Sequence, residues 1–107
     1  MMPLATIAAR VEGCVVAAWV DIRTGAVIDQ QPARDDAFIG PAIDAAIEVM
    51  RSRERPPRMV LLAARHVHIV QRTPTDPNRV LVVICERSAN LGLAVSFVRM
   101  QLEAEVA

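Results

Sequence analysis

From Val11 to Gln31 the apolar positions come as two β-rich stretches. The run Cys14-Val-Val-Ala-Ala-Trp-Val is followed by the polar, Gly-bearing Asp21-Ile-Arg-Thr-Gly25 and then by Ala26-Val-Ile28. Two β-prone runs around such a turn predict a hairpin. Pro32 to Asp36 is a polar connection, and Asp35 or Asp36 is suited to accept the free N–H groups of a helix that follows.

From Ala37 to about Glu54 the spacing changes to that of a helix. Ile39, Ile43, Ile47 and Met50 recur at three and four residues, with Phe38, Ala42, Ala46 and Val49 beside them. Asp44, Glu48, Arg51 and Arg55 form the polar strip on the opposite side, and Glu48 is placed to pair with Arg51. An apolar arc this broad covers a sheet and still reaches a second body. Pro41 is tolerated only in a first turn, so regular helix is expected from near Gly40 or with a bent start; Pro56-Pro57 ends it.

Residues 58–72 hold two further apolar runs, Met59 to Ala64 and Val67 to Arg72, separated by Arg65-His66, and Val80 to Cys85 is a third, rich in β-branched residues. The turn formers of Thr73-Pro-Thr-Asp-Pro-Asn78 sit between the last two, which gives a three-stranded meander. After Ser88-Ala-Asn90 the helical period returns: Leu91, Ala94, Val95, Val98 and Leu102 share one side, Arg99, Glu103 and Glu105 lie away from it, and Asn90 or Ser88 is the expected cap. With a short first helix, Pro3 to Arg10 at most, the order is α-β-β-α-β-β-β-α. This is an α/β (α+β) domain in which helices cover a five-stranded antiparallel sheet.

At 107 residues and 11.7 kDa the chain has room for a single core. Twelve basic residues, all of them Arg, balance twelve acidic ones, so no phosphate-rich or anionic partner is indicated by charge. Two Phe, one Trp and no Tyr leave almost no platform for stacking nucleobases. Hydrophobic residues make up 53%, which is high for a small monomer and points to a buried interface. No apolar run is long enough to span a bilayer and the first residues lack the pattern of a secretory signal, so cytoplasmic residence is expected.

Three motifs carry a resemblance: Val11-Glu-Gly-Cys14, the turn Val20-Asp-Ile-Arg-Thr-Gly25, and above all Ala89-Asn-Leu-Gly-Leu93 opening the last helix. Together with the order of elements they make nearly the whole chain resemble the roadblock (dynein light-chain roadblock) family. The resemblance implies a sheet with the long helix on one face and the terminal helices on the other. It also implies a homodimer in which long helices pack together and third strands join into one sheet. The seam is then expected at Ile43, Ile47 and Met50 of the helix and at Met59, Val60, Leu61, Leu62, Ala63 and Ala64 of the strand. An uncharged apolar edge strand is sticky in water, and pairing with its copy removes that liability. In the family's strand order the first and fifth strands are antiparallel neighbours, which would bring Cys14 near Cys85. In a reducing cytosol both are expected as free thiols.

The function implied is that of a non-enzymatic module that binds and regulates a small Ras-like GTPase, with Asp44, Glu48, Arg51 and Arg55 as the partner-facing residues. Differential contact with switch segments lets a binder without catalytic groups alter a partner's hydrolysis. The alternatives are a dimerisation scaffold with no effect on nucleotide turnover, and a small-molecule sensor, against which stands an interior without polar anchors. His66 and His68 share a strand face but no further His completes a metal set, so no metal or cofactor is expected. Without Lys there is no Walker-type loop, and Ser88, Ser96 and Cys85 lack nucleophile settings. The cluster Arg51, Arg53, Arg55 and Arg58 reads first as cations at the carbonyl end of the long helix and second as an anchor for an acidic patch.

Overall fold

The computed structural model describes residues 4–31, 41, 44, 45, 47, 48, 50, 51, 58–62, 65–73, 76, 78–88 and 90–104. A short helix α1 (Leu4–Arg10) leads into β1 (Cys14–Asp21) and β2 (Ala26–Gln31). Pro41, Asp44, Ala45, Ile47, Glu48 and Met50 are helical and are called α2. Then come β3 (Arg58–Leu62), β4 (His66–Arg72), β5 (Arg79–Glu86) and α3 (Leu91–Ala104). The strands form one antiparallel sheet in the order β2-β1-β5-β4-β3.

The alternation along the middle strands decides what covers each face. Val16, Ala18 and Val20 of β1 and Val80, Val82 and Ile84 of β5 point to one side, where they meet Val70, Ile22, Ile47 and Met50. Ala17 and Trp19 with Leu81, Val83 and Cys85 point to the other, against Leu4 and Ile7 of α1, Val11, Ile69, and Ala94 and Val98 of α3. Strands buried on both faces need continuous apolar runs, and Val80 to Cys85 is one: all six residues are buried. The guanidinium of Arg79 lies 4.4 Å from the centroid of the Trp19 ring, at the end of this second core.

The turns are closed by the side chains their sequences offer. Asp21 accepts from the Arg23 N–H at 2.8 Å, Thr24 Oγ1 accepts from the Ala26 N–H at 3.3 Å, and Gly25 takes the left-handed conformation (φ +80°) that reverses the chain. Between β4 and β5 the Thr73 hydroxyl donates to the Asp76 carbonyl at 2.8 Å, and Asp76 Oδ1 accepts from the Asn78 N–H at 2.9 Å. Of the two expected caps for the last helix it is Asn90 that acts, its Oδ1 accepting the Leu93 N–H at 3.1 Å.

Candidate functional site

The sheet has two edges of different chemistry. On β2 the ladder to β1 is interrupted by a register shift between Trp19 and Val20, and the strand ends in Asp29, Gln30 and Gln31. Polar residues and a bulge blunt an edge. The other edge is β3, Arg-Met-Val-Leu-Leu, which pairs among the described residues only with β4. Its pairing runs regularly from Arg58 opposite Gln71 to Leu62 opposite Val67. Val60 is 38% and Leu62 68% exposed, both on the face that carries Val67, Ile69 and Gln71. Arg58 donates through Nε to Gln71 Oε1 at 2.7 Å, which holds the strand against β4 while its outer row of N–H and C=O groups faces away from the sheet.

On α2, Asp44, Ala45 and Glu48 are exposed, whereas Ile47 and Met50 are buried against the sheet. Ile47 and Met50 are therefore not available for a seam between copies. At 8% and 1% exposure they belong to the chain's own core, because their arc of the helix faces β1, β4 and β5. Asp44 and Glu48 do share the outward side, next to the β1–β2 turn, where they line a shallow recess with Thr24, Gly25, Ile47 and Arg51. Arg51 lies in that recess but donates inward, from Nε to the Ile22 carbonyl at 2.7 Å and from Nη2 to the Arg23 carbonyl at 2.6 Å. It clamps the hairpin turn to the helix end. Ile43, Arg55, Ala63, Ala64 and the side chain of Met59 lie outside the described residues, as does Arg53 of the Arg cluster.

Three features were not anticipated from the sequence. Arg72 of β4 reaches Met50, donating from Nη2 to its carbonyl at 2.9 Å, so a strand cation secures the end of α2. Leu93, Phe97 and Met100 recur at four and three residues on α3 and, with Arg10, Val11 and Glu12, line a groove of about 330 Å³ beside the end of α1. The Leu–Phe–Met spacing is visible in the sequence next to the Leu91–Ala94–Val98 stripe, and Ala94 and Phe97 bridge the groove and the core. The third is the unequal exposure of the cross-strand partners Cys14 and Cys85, the first partly open to solvent and the second buried.

His66 and His68 lie on the same face of β4, opposite Glu86 and Ile84, and both are half-buried. Among the described residues no three of His, Cys, Asp and Glu come together as a metal site, and no helix is long and apolar enough to cross a membrane.

The described surface thus combines an apolar strand edge with an acidic helix face, on a sheet with helices on both sides. Solved structures that share this architecture include Roadblock/LC7 domains, and the chain has the Roadblock/LC7 fold. A Roadblock/LC7 domain from Streptomyces avermitilis superposes with a TM-score of 0.70 at 14% identity, over 94% of this chain and 89% of that one. MglC from Myxococcus xanthus gives 0.65 at 14% identity, over 95% and 94%. The gliding protein MglB from Thermus thermophilus gives 0.67 at 17% identity, over 92% and 78%. No family model matches the sequence, and no curated protein matches it significantly.

Proposed function

We propose that this chain is a non-enzymatic, self-pairing protein-binding module that docks a small Ras-like GTPase and alters its nucleotide turnover. The observation that carries the reading is the β3 edge: an apolar strand whose outer hydrogen-bonding groups are turned away from its own sheet. A second copy related by a two-fold axis supplies the missing strand, β3 against β3, and removes Val60 and Leu62 from water. Pairing of that kind sets two α2 helices side by side on one surface of a ten-stranded sheet. Asp44 and Glu48, exposed on the outward side of each α2, then form a doubled acidic platform for the partner. The Roadblock/LC7 fold, the likeness to MglB and MglC, and the GTPase association of the roadblock family that the sequence resembles all support a GTPase as that partner.

The test adds the purified chain to a Ras-like GTPase of the same organism and follows complex formation and GTP hydrolysis together. Binding with changed hydrolysis or nucleotide exchange is expected, and it should weaken when Asp44 and Glu48 are both changed to Arg. Binding with unchanged turnover would replace regulation by scaffolding. A chain that sediments as a single subunit at micromolar concentration and binds no Ras-like GTPase would overturn the reading.

A further inference from the structure

Cys14 opens β1 and Cys85 lies near the end of β5, and the two are direct cross-strand partners. The Glu86 N–H donates to the Gly13 carbonyl at 2.9 Å, so the bond joins the residues flanking the pair and not the pair itself. In antiparallel sheets this is the arrangement that brings side chains closest, with Cα atoms about 4.5 Å apart, inside the range a disulfide spans without backbone movement. Both side chains point into the core under α1 and α3, and the register shift between Cys14 and Val16 separates them from the regular ladder beyond.

The two thiols are not equivalent. Cys85 is fully buried, while Cys14 is partly open to solvent where the α1–β1 connection ends. The neighbouring Cys85 thiol, and after it the Val16 N–H, hold the Cys14 thiol below its ordinary range. The neighbouring Cys14, with burial, pushes the Cys85 thiol up. A partly exposed thiol directly beside a second, buried thiol is the pairing that peroxides oxidise to a disulfide.

We propose that Cys14 and Cys85 form a peroxide-oxidisable dithiol site that closes to an intramolecular disulfide between β1 and β5. The Cys14 thiolate attacks one oxygen of a hydroperoxide: an S–O bond forms, the O–O bond breaks, and the leaving hydroxide takes a proton to become water. The Cys85 sulfur then attacks the Cys14 sulfenic acid. An S–S bond forms, the S–O bond breaks, and hydroxide leaves with the Cys85 proton as a second water. Two thiols lose two electrons and hydrogen peroxide is reduced to two waters. The bond ties the exit of α1 to the strand that feeds α3 and closes a loop of about 70 residues.

The experiment treats the full chain with a small molar excess of hydrogen peroxide, denatures it in N-ethylmaleimide and records the intact mass. The expected product is a single chain lighter by two hydrogen atoms, carrying no maleimide, and restored to two maleimides by prior dithiothreitol. In Cys85→Ser, dimedone should label Cys14 after peroxide. Two maleimides on the peroxide-treated chain, or a disulfide joining two chains, would overturn the proposal, as would a Cys85→Ser protein whose Cys14 does not react with dimedone after peroxide.

Discussion

Arg72 donates through Nη2 to the carbonyl oxygen of Met50 at 2.9 Å, joining the fourth strand to the end of the helix that covers it. That carbonyl lies where a helix runs out of its own donors, and a cation there also offsets the negative end of the helix dipole. Arg72→Met keeps the stem but removes the donor. The expected loss is about 1.5–3 kcal/mol of unfolding free energy, read from urea denaturation. An unchanged midpoint would mean that another group takes over the carbonyl.

At the free sheet edge, Leu62→Lys places a charge on a residue that is already 68% exposed. The fold of one chain should tolerate this within about 0.5 kcal/mol, as exposed positions do. Self-pairing should not, because the charge would be carried into a strand-to-strand seam. Sedimentation equilibrium is expected to show the wild-type chain paired and the variant single, with thermal midpoints alike. Equal association of both proteins would remove β3 from the interface.

Gly25 has φ +80°, and a Cβ there would lie 3.6 Å from Ile47 Cδ1, an ordinary contact. The penalty of Gly25→Ala therefore comes from the backbone and not from a clash, and is expected at about 1 kcal/mol. Because Arg51 grips the same turn through the Ile22 and Arg23 carbonyls, amide exchange at Gly25 should rise more in Arg51→Ala than exchange in β5 does.

Burial, and then the neighbouring His66, hold the His68 imidazole below its ordinary range. The unfolded chain then takes up the proton more readily than the folded one. The stability His68 contributes is fully present above about pH 6.5 and falls as the pH drops through that value toward the lower folded pKa. Unfolding midpoints should decline between pH 7.5 and 5.5, and His68→Gln should flatten that decline. A slope that the substitution leaves intact would assign the effect to other groups.

The sheet was legible because its middle strands are buried on both faces, so Val80 to Cys85 could be little else than a central strand, and Gly25 and Asn90 punctuate where their chemistry requires. The candidate site was less so. Helical spacing gives the direction of an apolar arc but not what stands opposite it, and for Ile47 and Met50 the sheet, not a second copy, occupies that side. In the sequence Arg51 reads as a partner-facing residue, because its acceptors are backbone carbonyls, which carry no signature there. The nearness of Cys14 and Cys85 followed from the roadblock strand order and from nothing in the spacing of the two residues themselves.

The interior of this sheet asks only for oily, branched shapes in the right parity, a demand that many spellings satisfy, which accounts for an architecture shared at 14–20% identity with its structural neighbours. What sets one such protein apart in whom it binds must then lie at the periphery, on the rim strands and the outward sides of the helices. Divergence among such proteins should accumulate there, and with it the choice of whom each one meets.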